Sequence, residues 1–300
     1  MYTGSQWPVY EKGEPIMIST AVILSALELG FIYALVAFAL YLSFRVLNIA
    51  DMTTDGSFTL GCAVSATLAV AGHPYLALVA AMIAGACAGC ITAVLQTRLG
   101  VPSILAGIIT NTGLYTINLA VMGFSSNVNM MKTVTVFSSF GKLKIVPAAV
   151  LTIVMGVLLV VFLSTRLGLS IRATGDNPDM VRASSINTAF TVTVGLAVSN
   201  SLTALSGAVL AQYQRTADIN LGNGMVIIGL ASLIIGETIL RSGKTWVKVL
   251  GALLGCILYR FIIAIALRLD LPSECLKLVS AIIVAIAIAL PAIRKRKGGN

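Results

Sequence analysis

Nine long apolar runs constrain the fold of this chain more than any other feature of its sequence. Helices of about 20 apolar residues span the ~30 Å hydrocarbon core of a bilayer. At 58% hydrophobic residues, the chain carries more apolar surface than a water-soluble protein of its length can bury. The runs are continuous rather than alternating, which excludes a barrel and predicts an all-α, polytopic bundle of membrane helices. The runs cover residues 21–44, 58–71, 75–95, 103–122, 146–164, 188–212, 225–240, 246–266 and 276–293.

Two of these runs, 58–71 and 225–240, are too short to cross a bilayer alone at ~1.5 Å per residue. Each is bordered by glycine and polar residues, Asp55-Gly56-Ser57 in the first case and Gly222-Asn223-Gly224 in the second. Short segments interrupted by glycine mark broken helices beside a translocation path. We therefore expect two broken helices, with Asp51, Asp55 and Ser57 as N-caps of the first.

Basic residues indicate how the chain is oriented in the membrane. The net charge is +9, and Lys and Arg mark cytoplasmic loops, so this charge is not assigned to nucleic-acid binding. With the C-terminus in the cytoplasm, twelve basic residues fall inside and seven outside. The sequence thus predicts an outside N-terminus, with one transmembrane domain at 21–293 between a polar segment at 1–20 and a basic cytoplasmic tail at 294–300. No cleaved signal peptide is expected, and Met1 and Met17 both remain possible starts.

The polar segment 165–187 is predicted to lie in the cytoplasm between two spans. Asn177 is a good N-cap, Pro178 suits the first helical position, and Asp179 is favourable beside the positive helix end. These residues predict a short helix over 178–185. Its small apolar side suggests a plug for another protein, with Arg182 opposite, and consists of Met180, Val181 and Ala183.

Small residues recur at helical spacing in two of the runs, as Gly85–Gly89 and Gly251–Gly255. Such faces let helices approach closely, either within one bundle or between two chains. The run 75–95, which contains Gly85–Gly89, also contains a C-x-x-C at Cys87–Cys90. No histidine or acid lies nearby, so helix packing is favoured over metal or redox chemistry. We expect no metal site and no catalytic residues.

Polar residues inside the runs are candidates for a substrate path, although they are equally suited to bonding helices together. Glu28 or Glu237 is expected to pair with Arg260. The path candidates are Asn111, Thr112, Asn118, Asn200, Ser201, Thr203 and Glu237. Basic residues predicted to lie outside are candidates for docking an acidic partner, and these are Lys132, Lys142, Lys144 and Arg215.

Three stretches, in this order, resemble ABC-importer permeases of the ribose and branched-chain amino acid superfamily. They are NIADMTTDGSFTLG at 48–61, ATGDNPDMVRASSIN at 173–187 and GMVIIGLASLIIGET at 224–238. The pattern is most similar to the tryptophan/tyrosine-type branch. Members often carry glycine where Ser185 stands, and we expect helix geometry to tolerate serine there.

The resemblance implies a transport subunit rather than an enzyme. It implies two permease copies in the lipid bilayer, an extracytoplasmic binding protein or lipoprotein, and two cytoplasmic ATPase subunits that bind the Mg–ATP, with no cofactor in this chain. An aromatic amino acid is the first substrate candidate; branched-chain amino acids, nucleosides and sugars stay open. The alternative is a stand-alone transporter or channel coupled to an ion through Glu28 or Glu237. The residues implied to contact the ATPase are Gly175, Asp176, Asn177, Pro178, Asp179, Met180, Val181 and Ala183.

Overall fold

The computed structural model describes residues 20–141, 143–240 and 242–268, together with Leu278, Ile282 and Ala285. Most of these residues are helical, and six of the helices are long and apolar enough to cross a membrane. The helices are α1 (Thr20–Leu40), α2 (Thr54–Val70), α3 (Pro74–Thr97), α4 (Ser103–Val121), α5 (Ile145–Ser164), α6 (Arg166–Asp176), α7 (Pro178–Ala183), α8 (Thr188–Gln214), α9 (Met225–Ile239) and α10 (Thr245–Arg268). This architecture agrees with the predicted all-α, polytopic membrane protein.

The irregular elements lie at the ends of these helices. A π-helical turn, Tyr41–Val46, continues α1, and a 3-10 turn, Val136–Phe140, precedes α5. Two three-residue strands, β1 (Asn127–Asn129) and β2 (Thr216–Asp218), pair antiparallel, with Val128 opposite Ala217. The pairing connects the chain that follows α4 to the chain that follows α8.

Eight of the nine predicted apolar segments correspond to described helices, while the ninth, 276–293, lies outside the described residues except for three isolated positions. The two short segments are α2, with 17 residues, and α9, with 15. However, α2 begins at Thr54, so Asp55 and Ser57 lie within it and are not its N-caps. The N-cap position is occupied by Thr53 rather than Asp51, whose Oδ1 accepts a hydrogen bond from the Thr53 N–H at 2.9 Å.

Helix α8 is the centre of the bundle and is the most deeply buried of the six spans. The two predicted small-residue faces pack inside the chain. A Cβ atom at Gly85 or Gly89 would overlap a carbonyl oxygen of α8, and one at Gly255 would overlap the Ser232 carbonyl of α9. Apolar burial does not drive helix association in lipid, so this backbone approach is what holds α3 on α8 and α10 on α9.

Candidate functional site

The two short helices meet at the side chain of Asp55. Its Oδ2 accepts a hydrogen bond from the Gly224 N–H at 2.9 Å, and its Oδ1 accepts one from the Val226 N–H at 3.0 Å. Asp55 also lies in the first turn of α2. One carboxylate therefore faces the positive ends of two helices, which stabilises its negative charge and satisfies free N–H groups of α9. We call this contact the α2–α9 junction.

Glycines make the α2–α9 junction possible. A Cβ atom at Gly222 would overlap the Asp55 carbonyl oxygen, and the Gly222 N–H donates to Thr59 Oγ1 at 3.2 Å. Gly224 has φ +90°, a left-handed conformation that side chains rarely adopt. The glycine boundary read from the sequence is thus needed for close approach and for the turn into α9.

A buried hydrogen-bond network lies next to the junction. Asn200 of α8 donates from Nδ2 to Asp51 Oδ2 at 2.7 Å and accepts from Ser57 Oγ at 2.6 Å. Asn200, Asp51 and Ser57 are all fully buried, and on the same helix Thr203 donates to the Ser199 carbonyl. Among the path candidates, Asn200 therefore bonds α8 to the start of α2, whereas the Thr203 hydroxyl is satisfied within α8 and Ser201 lies half-buried beside them.

A polar cleft of about 270 Å³ opens beside the junction. Asn118 of α4 is 1% exposed, and its Nδ2 donates to the Gly56 carbonyl at 3.2 Å. Its Oδ1 is buried and has no hydrogen-bond partner among the described residues, so it is an acceptor free for a ligand or water. The cleft is lined by Asp55, Gly56, Thr59, Asn111, Thr112, Tyr115, Asn118, Ile219 and Asn223.

Three of the path candidates, all on α4, line the cleft together with Asp55 of the junction. They are Asn111, Thr112 and Asn118. The candidate set from the sequence lacked Asp55, Tyr115 and Asn223. Two of these three stand in the glycine-rich boundaries of the short helices, which is the signal that points to them. Tyr115 stands in an apolar run and carries no such signal.

The expected ion pairs with Arg260 are wrong. Glu237 forms its ion pair with Arg45, at the π-helical end of α1. Glu28 accepts a hydrogen bond from the Tyr213 hydroxyl at 2.7 Å. The Arg260 guanidinium lies 3.6 Å from the centre of the Tyr33 ring, a cation–π contact. The packing of α1 against α10 brings Arg260 to an aromatic face rather than to a carboxylate.

The 165–187 segment contains two helices, α6 and α7, rather than one. Asn177 caps α7 as predicted, because its Oδ1 accepts from the Asp179 and Met180 N–H groups at 3.1 Å. The helix ends at Ala183, two residues earlier than expected. The single apolar side is not observed, since Val181 is 3% exposed whereas Met180 is 65% exposed. Val181 thus anchors α7, and Met180 is its free apolar side chain.

Three contacts attach α6 to the ends of long helices. Gly175 packs so closely that a Cβ atom would overlap the Val46 carbonyl at the end of α1. Thr174 shares a 2.8 Å hydrogen bond with Thr191 of α8, and Arg172 donates to Thr245 of α10 at 3.1 Å. A movement of α6 would therefore act directly on three spans.

Ser185 does not lie within a helix, contrary to expectation. It has φ +61°, and the Ile186 and Ser185 N–H groups donate to the Val181 and Arg182 carbonyls. This is the Schellman arrangement, whose left-handed residue is usually glycine. Serine is therefore tolerated at the cost of backbone strain, which a glycine at this position would avoid.

The basic residues predicted to lie outside differ in their exposure and in their contacts within the chain. Lys132 is exposed. The Lys144 ammonium lies 5.5 Å from the centre of the Tyr213 ring, and Arg215 donates to the Met131 carbonyl. Lys142 lies outside the described residues. Lys132 is therefore the residue of this set best placed to contact another protein.

Comparison with known proteins agrees with the fold and the motifs. Residues 22–290 match the family model described as the permease component of branched-chain amino acid transport systems. The chain belongs to this family. This permease is a multi-pass protein of the cell membrane and a component of an ABC-type transport system. No solved structure matches it.

Curated relatives span nearly the whole permease. A tyrosine transport system permease protein of Clostridioides difficile is 34% identical, covering 89% of this chain and 90% of the relative. An uncharacterized protein of Rickettsia prowazekii is 32% identical, covering 89% and 97%. A ribose import permease protein of Haemophilus influenzae is 24% identical, covering 91% and 86%.

Proposed function

We propose that this permease imports an amino acid, aromatic in the first instance, by alternating access at the interface of two copies, driven by separate ATPase subunits. The amino acid assignment is supported by the tyrosine permease relative, at 34% identity against 24% for the ribose permease. Branched-chain amino acids, nucleosides and sugars are the other substrate classes to test. The extracytoplasmic binding protein is expected to carry much of the specificity.

The observation that carries the proposal is the construction of the 165–187 segment. Met180 projects into solvent on a short capped helix, whereas Val181 anchors the same helix. The adjoining α6 contacts the ends of α1, α8 and α10 through Gly175, Thr174 and Arg172. Force applied to α7 by an ATPase would therefore reach the spans as a rigid-body movement. A surface that faces the ATPase includes Gly175, Asp176, Asn177, Pro178, Asp179, Met180 and Ala183.

Two methionines give a matched test of this coupling. Met180 and Met131 are 65% and 70% exposed, at opposite ends of the bundle. In proteoliposomes containing the permease, its ATPase and its binding protein, Met180→Asp should abolish uptake and co-purification of the ATPase. Met131→Asp should retain the ATPase. Normal uptake by Met180→Asp would contradict the coupling role.

The polar cleft is the proposed contribution of each copy to the shared solute path. It combines a buried acceptor on Asn118 with Asn111 and Thr112 of α4, beside the short helices α2 and α9; short segments of this kind border substrate sites in transporters. Asn118→Leu should reduce uptake while the binding protein still stimulates ATP hydrolysis. Unchanged uptake would remove the cleft from the path.

A stand-alone ion-coupled transporter is less well supported. Both candidate carboxylates have partners, Glu28 in Tyr213 and Glu237 in Arg45. The purified permease alone should therefore take up no solute under an ion gradient. Uptake by the lone chain would favour this alternative.

Docking of the binding protein is proposed to use Lys132, together with the other predicted outside residues Lys142, Lys144 and Arg215. Lys132→Glu should weaken the binding protein's affinity, and the wild-type affinity should fall with salt, because exposed charges are screened. Affinity that responds to neither change would contradict this surface.

A further inference from the structure

A crevice of about 240 Å³ lies between α7 and the neighbouring ends of α3 and α8, and neither the fold nor the proposed path uses it. It is bounded by the last turn of α3, by the 165–187 segment and by the first turns of α8. Its lining residues are Ile49, Gln96, Thr97, Thr174, Pro178, Arg182, Thr188, Ala189 and Val192. No acidic residue is among them; Arg182 pairs with the carboxylate of Asp179, which is 87% exposed and is not part of the lining.

Hydrogen-bond donors in the crevice exceed what the described residues satisfy. The Gln96 Nε2 atom is buried and has no partner among them. The Arg182 side chain is 68% exposed, and its contacts within the chain are long, to Thr188 Oγ1 at 3.3 Å and to Asp179 Oδ1 at 3.6 Å. A guanidinium has five N–H donors, and a buried amide left unpaired costs free energy. The crevice therefore favours an incoming acceptor, preferably an anionic one.

Three threonines and four apolar residues complete the lining, and the apolar residues give the crevice a second character. Ile49, Ala189 and Val192 carry only hydrocarbon side chains, and Pro178 adds its ring. A water molecule takes up about 30 Å³ in the liquid, so the volume suits a small solute better than a single water. Donors and an apolar wall together match a carboxylate joined to an apolar body.

We propose that this crevice binds a small carboxylate solute with an apolar body, of the size of an amino acid. Its carboxylate accepts from Gln96 Nε2 and the Arg182 guanidinium, and its apolar part packs on Ile49 and Val192. The bound solute bridges α3 to α7 and restrains the 165–187 segment. If that segment contacts the ATPase, as proposed above, accumulated solute slows the transporter from the cytoplasmic side.

The binding step is tested on the purified permease by thermal unfolding with L-leucine and L-tyrosine as probes. The amides of the same two amino acids, which lack the carboxylate, serve as the ligand control. Each amino acid should raise the Tm and its amide should not. Equal shifts for acid and amide, or no shift at all, would overturn the proposal.

Two glutamines supply a matched pair of variants for this measurement. Gln96→Leu removes the unpaired donor and should weaken binding of the amino acids at least tenfold, whereas Gln214→Leu makes the same change at an exposed position and should not. Ala189→Leu fills the crevice without removing a hydrogen-bonding group and should also abolish the shift. If Gln96→Leu does not fold, Ala189→Leu decides. The cleft variant Asn118→Leu should keep the shift, which separates the crevice from the proposed path.

The regulatory step is tested with the complete transporter in proteoliposomes. Amino acid supplied on the ATPase side should lower the rate of ATP hydrolysis several-fold in the wild type and not in Gln96→Leu. Binding without any change in hydrolysis would overturn the regulatory role. A wild-type permease that fails to associate with any ATPase would instead contradict the proposed function, and the thermal measurement on the isolated chain would still stand.

Discussion

At the α2–α9 junction both carboxylate oxygens of Asp55 accept backbone hydrogen bonds, whereas in the 165–187 segment the Met180 side chain is 65% exposed. The junction holds a half-buried carboxylate and satisfies it within the chain. The segment holds apolar surface outside and leaves it uncovered. Withdrawing a charge from water costs free energy unless hydrogen bonds compensate it, whereas one exposed apolar side chain costs little. Only the 165–187 segment can therefore leave its binding surface uncovered until a partner protein binds.

The strongest test of this comparison is Asp55→Ala. It leaves the Gly224 and Val226 N–H groups without their acceptor, and we expect the free energy of unfolding to fall by about 3 kcal/mol. Asp55→Asn keeps one acceptor oxygen and should lose about half as much. Denaturant unfolding in detergent measures both variants. An Asp55→Ala protein as stable as the wild type would show that the junction does not hold α9.

A smaller effect, of opposite sign, is expected at the end of α7. Ser185→Gly relieves the left-handed strain at φ +61° and should stabilise the 165–187 segment by about 1 kcal/mol. Hydrogen exchange of the Ile186 amide, which closes the Schellman motif, reports this local stability. Ser184→Gly is the control, because Ser184 has an ordinary negative φ and should gain nothing. Faster exchange in Ser185→Gly would argue against strain at this residue.

The smallest effect is expected for the ion pair between Arg45 and Glu237, at the opposite end of α9 from the junction. The Arg45 side chain is 50% exposed and that of Glu237 is 25% exposed, so solvent screens their attraction. A double-mutant cycle with Arg45→Met and Glu237→Gln should give a coupling energy of about 0.5 kcal/mol. A coupling energy as large as the effect of Asp55→Ala would show that the two ends of α9 contribute equally to stability, which would contradict this ranking.

Local features of the chain could be predicted from sequence because their physical causes are local. The apolar runs determine which segments become spans, and Asn177 caps α7 through N–H groups two and three residues away. The glycines around 222–224 likewise indicate that a short helix begins after them, and α9 begins at Met225. The membrane class, the short helices and the start of α7 follow from neighbouring residues alone.

Tertiary structure alone decided which distant side chains meet. Glu237 lies 192 residues from Arg45, and nothing in the sequence favours that partner over Arg260. Asp55 was expected to cap its own helix and instead caps α9, because the packing of the bundle brings the two helix starts together. Val181 and Met180 are neighbours of similar hydrophobicity, and only the position of α7 against the spans buries one and exposes the other. The sequence determines which segments form helices and where those helices begin. The packing of the helices determines which side chains are buried and which of them bond to each other.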